Sequence, residues 1–177
     1  MLILASLGQL CVQFLKALGH PVVAIDNRAE GLQLATSLPE KLRADLAVDF
    51  NTEDAITKVK AWAGKGGVAS VIVCTDNIAA NEWALKILRL RGTLVVVGLP
   101  SPELEGPLHF NAFDLVFGEL TIKGSLVANK ELLDEMLAVV VKHGVRSYIT
   151  TVPFDEMLDL PDMYMNQHLK GRLVMKM

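Results

Sequence analysis

The stretch Leu7-Gly8-Gln9-Leu10-Cys11-Val12-Gln13-Phe14-Leu15-Lys16-Ala17-Leu18-Gly19-His20-Pro21-Val22-Val23-Ala24-Ile25-Asp26 decides the fold. Apolar residues fall at Leu7, Leu10, Cys11, Phe14, Leu15 and Leu18, the i, i+3, i+4 period of a helix with one buried face. Gly19 follows as the helix-ending residue, and from Pro21 the pattern becomes a short β-branched run closed by the acid Asp26. Upstream, Met1 to Leu4 reads as a stub of strand and Ala5-Ser6-Leu7-Gly8 as a strand-to-helix turn. An acid ending the second strand about twenty residues after such a turn marks a βαβ unit that holds a dinucleotide. The turn and the helix N-terminus would face a pyrophosphate, and the acid would accept hydrogen bonds from the adenosine ribose hydroxyls. Ala5 and Ser6 stand where such a turn carries glycine, so a weakened phosphate grip is expected.

Outward from this unit, β-branched runs alternate with helical periods. Strands are expected over Val22 to Ile25, Ala47 to Phe50, Ser70 to Cys74, Thr93 to Val97, Leu120 to Val127, Ser147 to Val152 and Leu173 to Met177. Helices are expected over Glu30 to Ser37, from the cap at Asn51 or Thr52 to Ala63, Asn77 to Leu90, Phe110 to Phe117 and Lys130 to His143, with a further turn over Glu40 to Leu46. Ser101 to Pro107 reads as loop. This alternation predicts a doubly wound, mostly parallel α/β sheet with helices on both faces and a truncated first strand. No repeat or long linker divides the chain, so one domain spanning 1–177 is expected.

The composition agrees. With 177 residues, 51% hydrophobic and 21% charged, the chain has the material for a sizeable core and is not of disordered type. A net charge of -3 gives no footing for nucleic acid, and the apolar runs have strand length, not membrane-span length. The N-terminus lacks the basic segment and cleavage site of a signal peptide. Cys11 and Cys74 lack the spacing of a zinc ribbon or redox motif and read as free thiols of a reducing cytoplasm. His20, His109, His143 and His168 are scattered, so no metal site is expected.

Five segments in order carry a likeness to a known family: Leu7 to Gln13, Gly67 to Cys74, Leu90 to Pro100, Lys123-Gly124-Ser125-Leu126-Val127, and Lys170-Gly171-Arg172-Leu173-Val174. Over Leu7 to Met177 the chain resembles the C-terminal, Rossmann-like coenzyme domain of zinc-dependent medium-chain alcohol dehydrogenases, most of all the microbial and fungal ones. The resemblance implies an NAD-binding role. Leu7 and Gly8 would open the helix facing the pyrophosphate, and Asp26 would bind the ribose and repel the extra phosphate of NADP. Val97, Gly98 and Leu99 would line the nicotinamide pocket. Ser125, Leu126 and Val127 would meet the carboxamide through backbone groups, and Arg172 would reach the pyrophosphate. Of the family's G-x-x-G-G-L-G turn only the last Leu-Gly remains. Gly31 falls near the family's basic residue beyond the acid, with Arg28 as a substitute. The family's zinc ligands belong to a preceding catalytic domain that this chain does not contain, so no catalytic residue is assigned here.

Each assignment has a plainer reading. Asp26 and Arg172 could be solvated surface residues, Gly8 and Gly98 could serve close packing, and Trp62, Trp83 and the Met-rich end (Met157, Met163, Met165, Met175, Met177) could be packing residues. Three functions therefore stand. The first is the coenzyme-binding portion of an alcohol dehydrogenase-like oxidoreductase, inactive alone. The second is a non-catalytic fragment that pairs, through the edge strand near Leu120 to Val127, with a second copy or an intact paralogue. The third is a methyltransferase-like domain, which Gly171-Arg172 and Val97-Gly98-Leu99 do not fit.

Overall fold

Val23 and Ile25 project to one side of their strand and Val22 and Ala24 to the other, and each pair is buried in a different apolar cluster. The same division recurs where Val71 and Val73 join the first cluster and Ile72 and Cys74 the second. A strand that is apolar on both sides must be covered on both sides, which is what the chain builds.

The computed structural model describes residues 2–3 (backbone only), 7–99, 106–166 and 168–177. Their order is β1 (Leu2–Ile3), α1 (Gly8–Ala17), β2 (Val23–Asp26), α2 (Ala29–Ser37), β3 (Leu46–Asp49), α3 (Ala55–Ala63), β4 (Val68–Val73), α4 (Ile78–Leu85), β5 (Leu88–Val96), α5 (Ala112–Phe117), β6 (Thr121–Gly124), α6 (Lys130–His143), β7 (Ile149–Pro153), a 3₁₀ segment (Phe154–Asp159), α7 (Leu160–Met165) and β8 (Arg172–Lys176). The first six strands form one parallel sheet in the order β3-β2-β1-β4-β5-β6. One face is covered by Val12 of α1 and Ala35 of α2, the other by Ala55 and Val59 of α3 and Ala80 and Ala84 of α4. This is the doubly wound α/β architecture that the strand and helix periods predict.

Several features differ from the sequence reading. The helix expected to run to Leu90 ends at Leu85, and Leu88 to Leu90 already belong to β5, because Leu88 pairs with Val68 across a register shift in β4. Apolar residues buried in that strand mimic a continuing helical stripe. Of Glu40 to Leu46, residues 40–43 form a turn closed on the Pro39 carbonyl, not a helix, and Leu46 already opens β3. The sixth strand stops at Gly124, leaving Ser125, Leu126 and Val127 beyond it. Of the Met-rich end, Met157, Met165 and Met177 are exposed instead of packed, as is Trp62, whereas Trp83 packs against Phe50 with ring centroids 5.2 Å apart. The turn at Ala5-Ser6, Pro100 and the loop start at 101–105 lie outside the described residues.

Among the described residues, β7 and β8 pair only with each other, as a two-stranded parallel sheet. Two buried glutamines tie its entrance to α1. Gln13 donates through Nε2 to the Arg146 carbonyl at 2.8 Å and accepts through Oε1 from the Arg146 N–H at 3.0 Å. Gln9 donates to Ser147 Oγ at 3.1 Å and accepts from the Tyr148 N–H at 3.2 Å. Spaced i, i+4, the two amides share one helix face and replace strand partners for residues 146–148. Nearby, Asp45 ties α1 to the entrance of β2 by accepting from Lys16 Nζ at 2.6 Å and from the Val22 N–H at 2.7 Å. Partial burial works against its charge, but these two bonds outweigh that and hold its carboxyl below the usual range.

Gln13→Ala removes the partner of a partly buried donor and acceptor of Arg146, at a cost of about 1 kcal/mol or more. Denaturant unfolding should show that loss, and hydrogen exchange should quicken first at the amides of Arg146 and Tyr148. Unchanged protection at both amides would contradict the role given to Gln13.

Candidate functional site

Because all five pairings in the large sheet are parallel, its strands share one carboxyl edge. The register runs Ile25 opposite Ile3, Ile3 opposite Val73, Val73 opposite Val96, and Val96 opposite Gly124. Asp26, Thr75, Val97 to Leu99 and Ser125 to Val127 therefore all lie just past one line across the sheet. The strand order reverses between β1 and β4, where α1 and the connections after β4 leave to opposite faces. The carboxyl rim at such a reversal is the usual ligand position in open parallel sheets.

At one end of the rim, Asp26 closes β2 and is 1% exposed. Its Oδ1 accepts from the Arg28 N–H at 2.9 Å and Arg28 Nε at 3.2 Å, and its Oδ2 accepts from Arg28 Nη2 at 3.2 Å. Gly31 of α2 packs directly on this carboxylate; a Cβ there would run into Asp26 Oδ2. The missing basic residue at position 31 is thus a steric necessity, and the cation comes from Arg28 instead.

At the centre, α1 begins with buried Gly8. Its N-cap, Leu7, supplies no side-chain hydrogen bond, and its first turn holds no acid. Such a helix start leaves its amide donors and positive dipole end without a built-in anion, which fits a pyrophosphate. On the far side, the N–H groups of Val97 and Gly98 both donate to the Val73 carbonyl at 3.0 Å. A side chain at Gly98 would collide with the Thr75 backbone, so the close-packing reading of Gly98 holds whatever else it does. Leu99 is exposed. The Ser125 N–H donates to the Val96 carbonyl at 3.1 Å, and Leu126 and Val127 stand open at the rim.

Arg172 lies apart from this row. It opens β8 in the small sheet, is exposed, and donates its backbone N–H to the Tyr148 carbonyl. The segment before it does reach α2, beside the Asp26 end of the rim. His168 Nδ1 meets Glu30 Oε1 at 2.6 Å and Lys170 Nζ donates to Gln33 Oε1 at 2.7 Å, both on α2. Glu30 is held below the usual carboxylate range, first by its own backbone N–H and then by His168.

Two features escaped the sequence reading. Thr75, packed against Gly98, carries no motif. Cys11 and Cys74, remote in the chain, meet in the second apolar cluster, and the interaction of the two thiols lowers the Cys11 thiol pKa and raises that of Cys74. Among the described residues, no group of three His, Cys, Asp or Glu side chains comes together to hold a metal ion, and no helix is long and apolar enough to cross a membrane.

Residues 6–142 match the family model of the zinc-binding dehydrogenases. The chain belongs to that family. An alcohol dehydrogenase of Geobacillus stearothermophilus is 34% identical over 173 residues, covering 98% of this chain and 48% of that protein. Among solved structures, the alcohol dehydrogenase of the archaeon Aeropyrum pernix superposes with a TM-score of 0.82 at 28% identity, covering 98% of this chain and 48% of the other. Acetophenone reductase from Geotrichum candidum, solved in complex with NAD, superposes with a TM-score of 0.77 at 25% identity, covering 98% of this chain and 46% of the other. The chain thus spans about half the length of its dehydrogenase relatives, whose Rossmann-like coenzyme domain it matches in fold.

Gly31→Ala should push the Asp26 carboxylate off Arg28, since the three bonds that fix it leave no room to turn aside. The expected cost is about 1–3 kcal/mol in thermal or denaturant unfolding. Wild-type stability in this variant would disprove the packing argument.

Proposed function

We propose that this chain is the coenzyme-binding portion of an alcohol dehydrogenase-like oxidoreductase and that it binds NAD along the carboxyl rim of the six-stranded sheet. The observation that supports the reading most is the placement of Asp26, the uncapped start of α1 and the Val97 to Leu99 exit along one edge, at the reversal of strand order, in a member of the zinc-binding dehydrogenase family. NAD, when bound, supplies the acceptor for a hydride. The residues here bind and orient it: α1 amides toward the pyrophosphate, the Asp26–Arg28 end toward the adenosine ribose, and the backbone at 97–99 and 125–127 toward the nicotinamide. The family resemblance would have Arg172 add a cation at the pyrophosphate, from the small sheet. Zinc chemistry has no ligand set among the described residues, so the polarisation of an alcohol oxygen would fall to parts of a whole protein outside this chain.

Titration with NADH, followed by its emission and by the unfolding temperature, should give a saturable response at up to millimolar cofactor, with no alcohol oxidation by the chain alone. No response in either signal at millimolar cofactor would defeat the reading.

A second reading, association with a second copy or an intact relative, is favoured by the free edge of the sheet. β6 is the last strand in the order, its residues are mostly exposed, and the stacked, exposed rings of Phe113 and Phe117 (centroids 4.2 Å apart) lie on the helix just before it. Sedimentation velocity should show a dimer, or co-purification an intact relative. A chain that stays monomeric and retains no relative removes this reading.

A further inference from the structure

A strip of apolar contact joins α1 to the end of β4. Cys11 and Leu15, four positions apart, share one ridge of the helix and pack with Ile72 and Cys74 in the cluster on that face of the sheet. Ile72 and Cys74, two positions apart, share one face of their strand. α1 returns over the sheet from β1, so it runs against the direction of β4. Four helix residues advance about 6 Å, nearly the same as two strand residues. Leu15 and Ile72 line one cavity toward the amino edge. One step toward the carboxyl rim, the partners are Cys11 and Cys74, and the only two cysteines of the chain end as neighbours.

The two thiols are not equivalent. Cys11 is half-buried and Cys74 is buried. Their interaction favours charge on Cys11, whose pKa falls, while that of Cys74 is pushed up, first by Cys11 and then by burial. A thiolate within reach of solvent, beside a second thiol that stays protonated, is the arrangement of an attacking and a resolving cysteine.

We propose that Cys11 and Cys74 are a peroxide-reactive dithiol, which a hydroperoxide converts to an intramolecular disulfide fastening the first turn of α1 to the carboxyl end of β4. The Cys11 thiolate attacks the terminal oxygen of the hydroperoxide. The O–O bond breaks, Cys11 becomes a sulfenic acid, and the departing oxygen takes up the proton that Cys11 had given to solvent. The Cys74 sulfur then attacks the Cys11 sulfur. The S–O bond breaks, water leaves with the Cys74 proton, and the S–S bond forms. Two thiols have lost two electrons, and the hydroperoxide has been reduced to an alcohol (water, for hydrogen peroxide) and water. Once Cys11 is a sulfenic acid, the thiolate that held Cys74 protonated is gone, which frees Cys74 for the second step.

The reduced full chain, freed of reductant, is treated with hydrogen peroxide, and free thiols, intact mass and disulfide-linked peptides are measured. The wild type should lose both thiols and two hydrogens in mass while staying monomeric, with one peptide pair joined through Cys11 and Cys74, and a thiol reductant should restore both thiols. Cys74→Ser should stop at a sulfenic acid on Cys11, which dimedone traps. Cys11→Ser should lose its remaining thiol about tenfold more slowly than the wild type loses its first. The wild-type measurements need no variant, so a variant that fails to fold leaves them standing. Retention of both thiols by the wild type, a disulfide only between chains, or gain of oxygen without a linked pair overturns the proposal. Equally fast thiol loss in folded Cys11→Ser overturns it too. No coenzyme enters the test, so its outcome is separate from that of the dinucleotide reading.

Discussion

A parallel strand buried on both faces can be followed only by a connection that climbs over one face and returns to the same starting edge. Every other feature of the site follows from that constraint. With the apolar alternation of β2 and β4 split between two clusters, α1 and α2 must lie on one side and α3 and α4 on the other. All carboxyl ends then fall on one rim. Asp26, Val97 and Ser125, separated by about a hundred positions in sequence, lie one step past the same register line.

The rim is not uniformly built. Its α2 end is fixed by short-range chemistry, in which an aspartate, the arginine two residues on and a glycine five residues on form one packed unit. Its β5–β6 end is fixed by backbone bonds to Val73 and Val96 and by contact of Gly98 with Thr75. Its centre is the start of a helix that supplies donors and a positive dipole end without consuming them internally. A negatively charged, elongated ligand with a polar sugar at one end suits that sequence of environments.

The second half of the chain has a different energetic character. Among the described residues, α5, α6 and α7 contain none that is fully buried, and Leu132, Leu133, Leu137 and Val141 of α6 are open to solvent. Beside buried Val145 and Val152, polar ties anchor this half: the Gln9 and Gln13 amides to residues 146–148, and the His168 and Lys170 attachments to α2. Hydrogen bonds of this sort contribute about 1 kcal/mol each when satisfied and fix position more than they drive collapse. The apolar cover of the first half and the exposed apolar surface of the second fit a unit that matches about half of its relatives' length.

The sequence by itself determined the architecture and the row of rim residues, since strand alternation and helix period are local properties of consecutive residues. It also exposed Asp26, because an acid ending an apolar strand is conspicuous within a few positions. It misplaced the α4–β5 boundary, where buried Leu88 and exposed Leu90 continue a helical apolar spacing and only pairing of Leu88 with Val68 draws the chain into the sheet. It gave no sign of the Cys11–Cys74 contact, the Thr75–Gly98 contact or the glutamine bonds to 146–148, because those partners meet only after the chain has crossed the sheet. Tertiary structure alone decided that Asp26 is covered by Arg28. Whether a side chain two residues away turns back onto an acid or out toward a ligand depends on what occupies the other side, and there α2 presents Gly31.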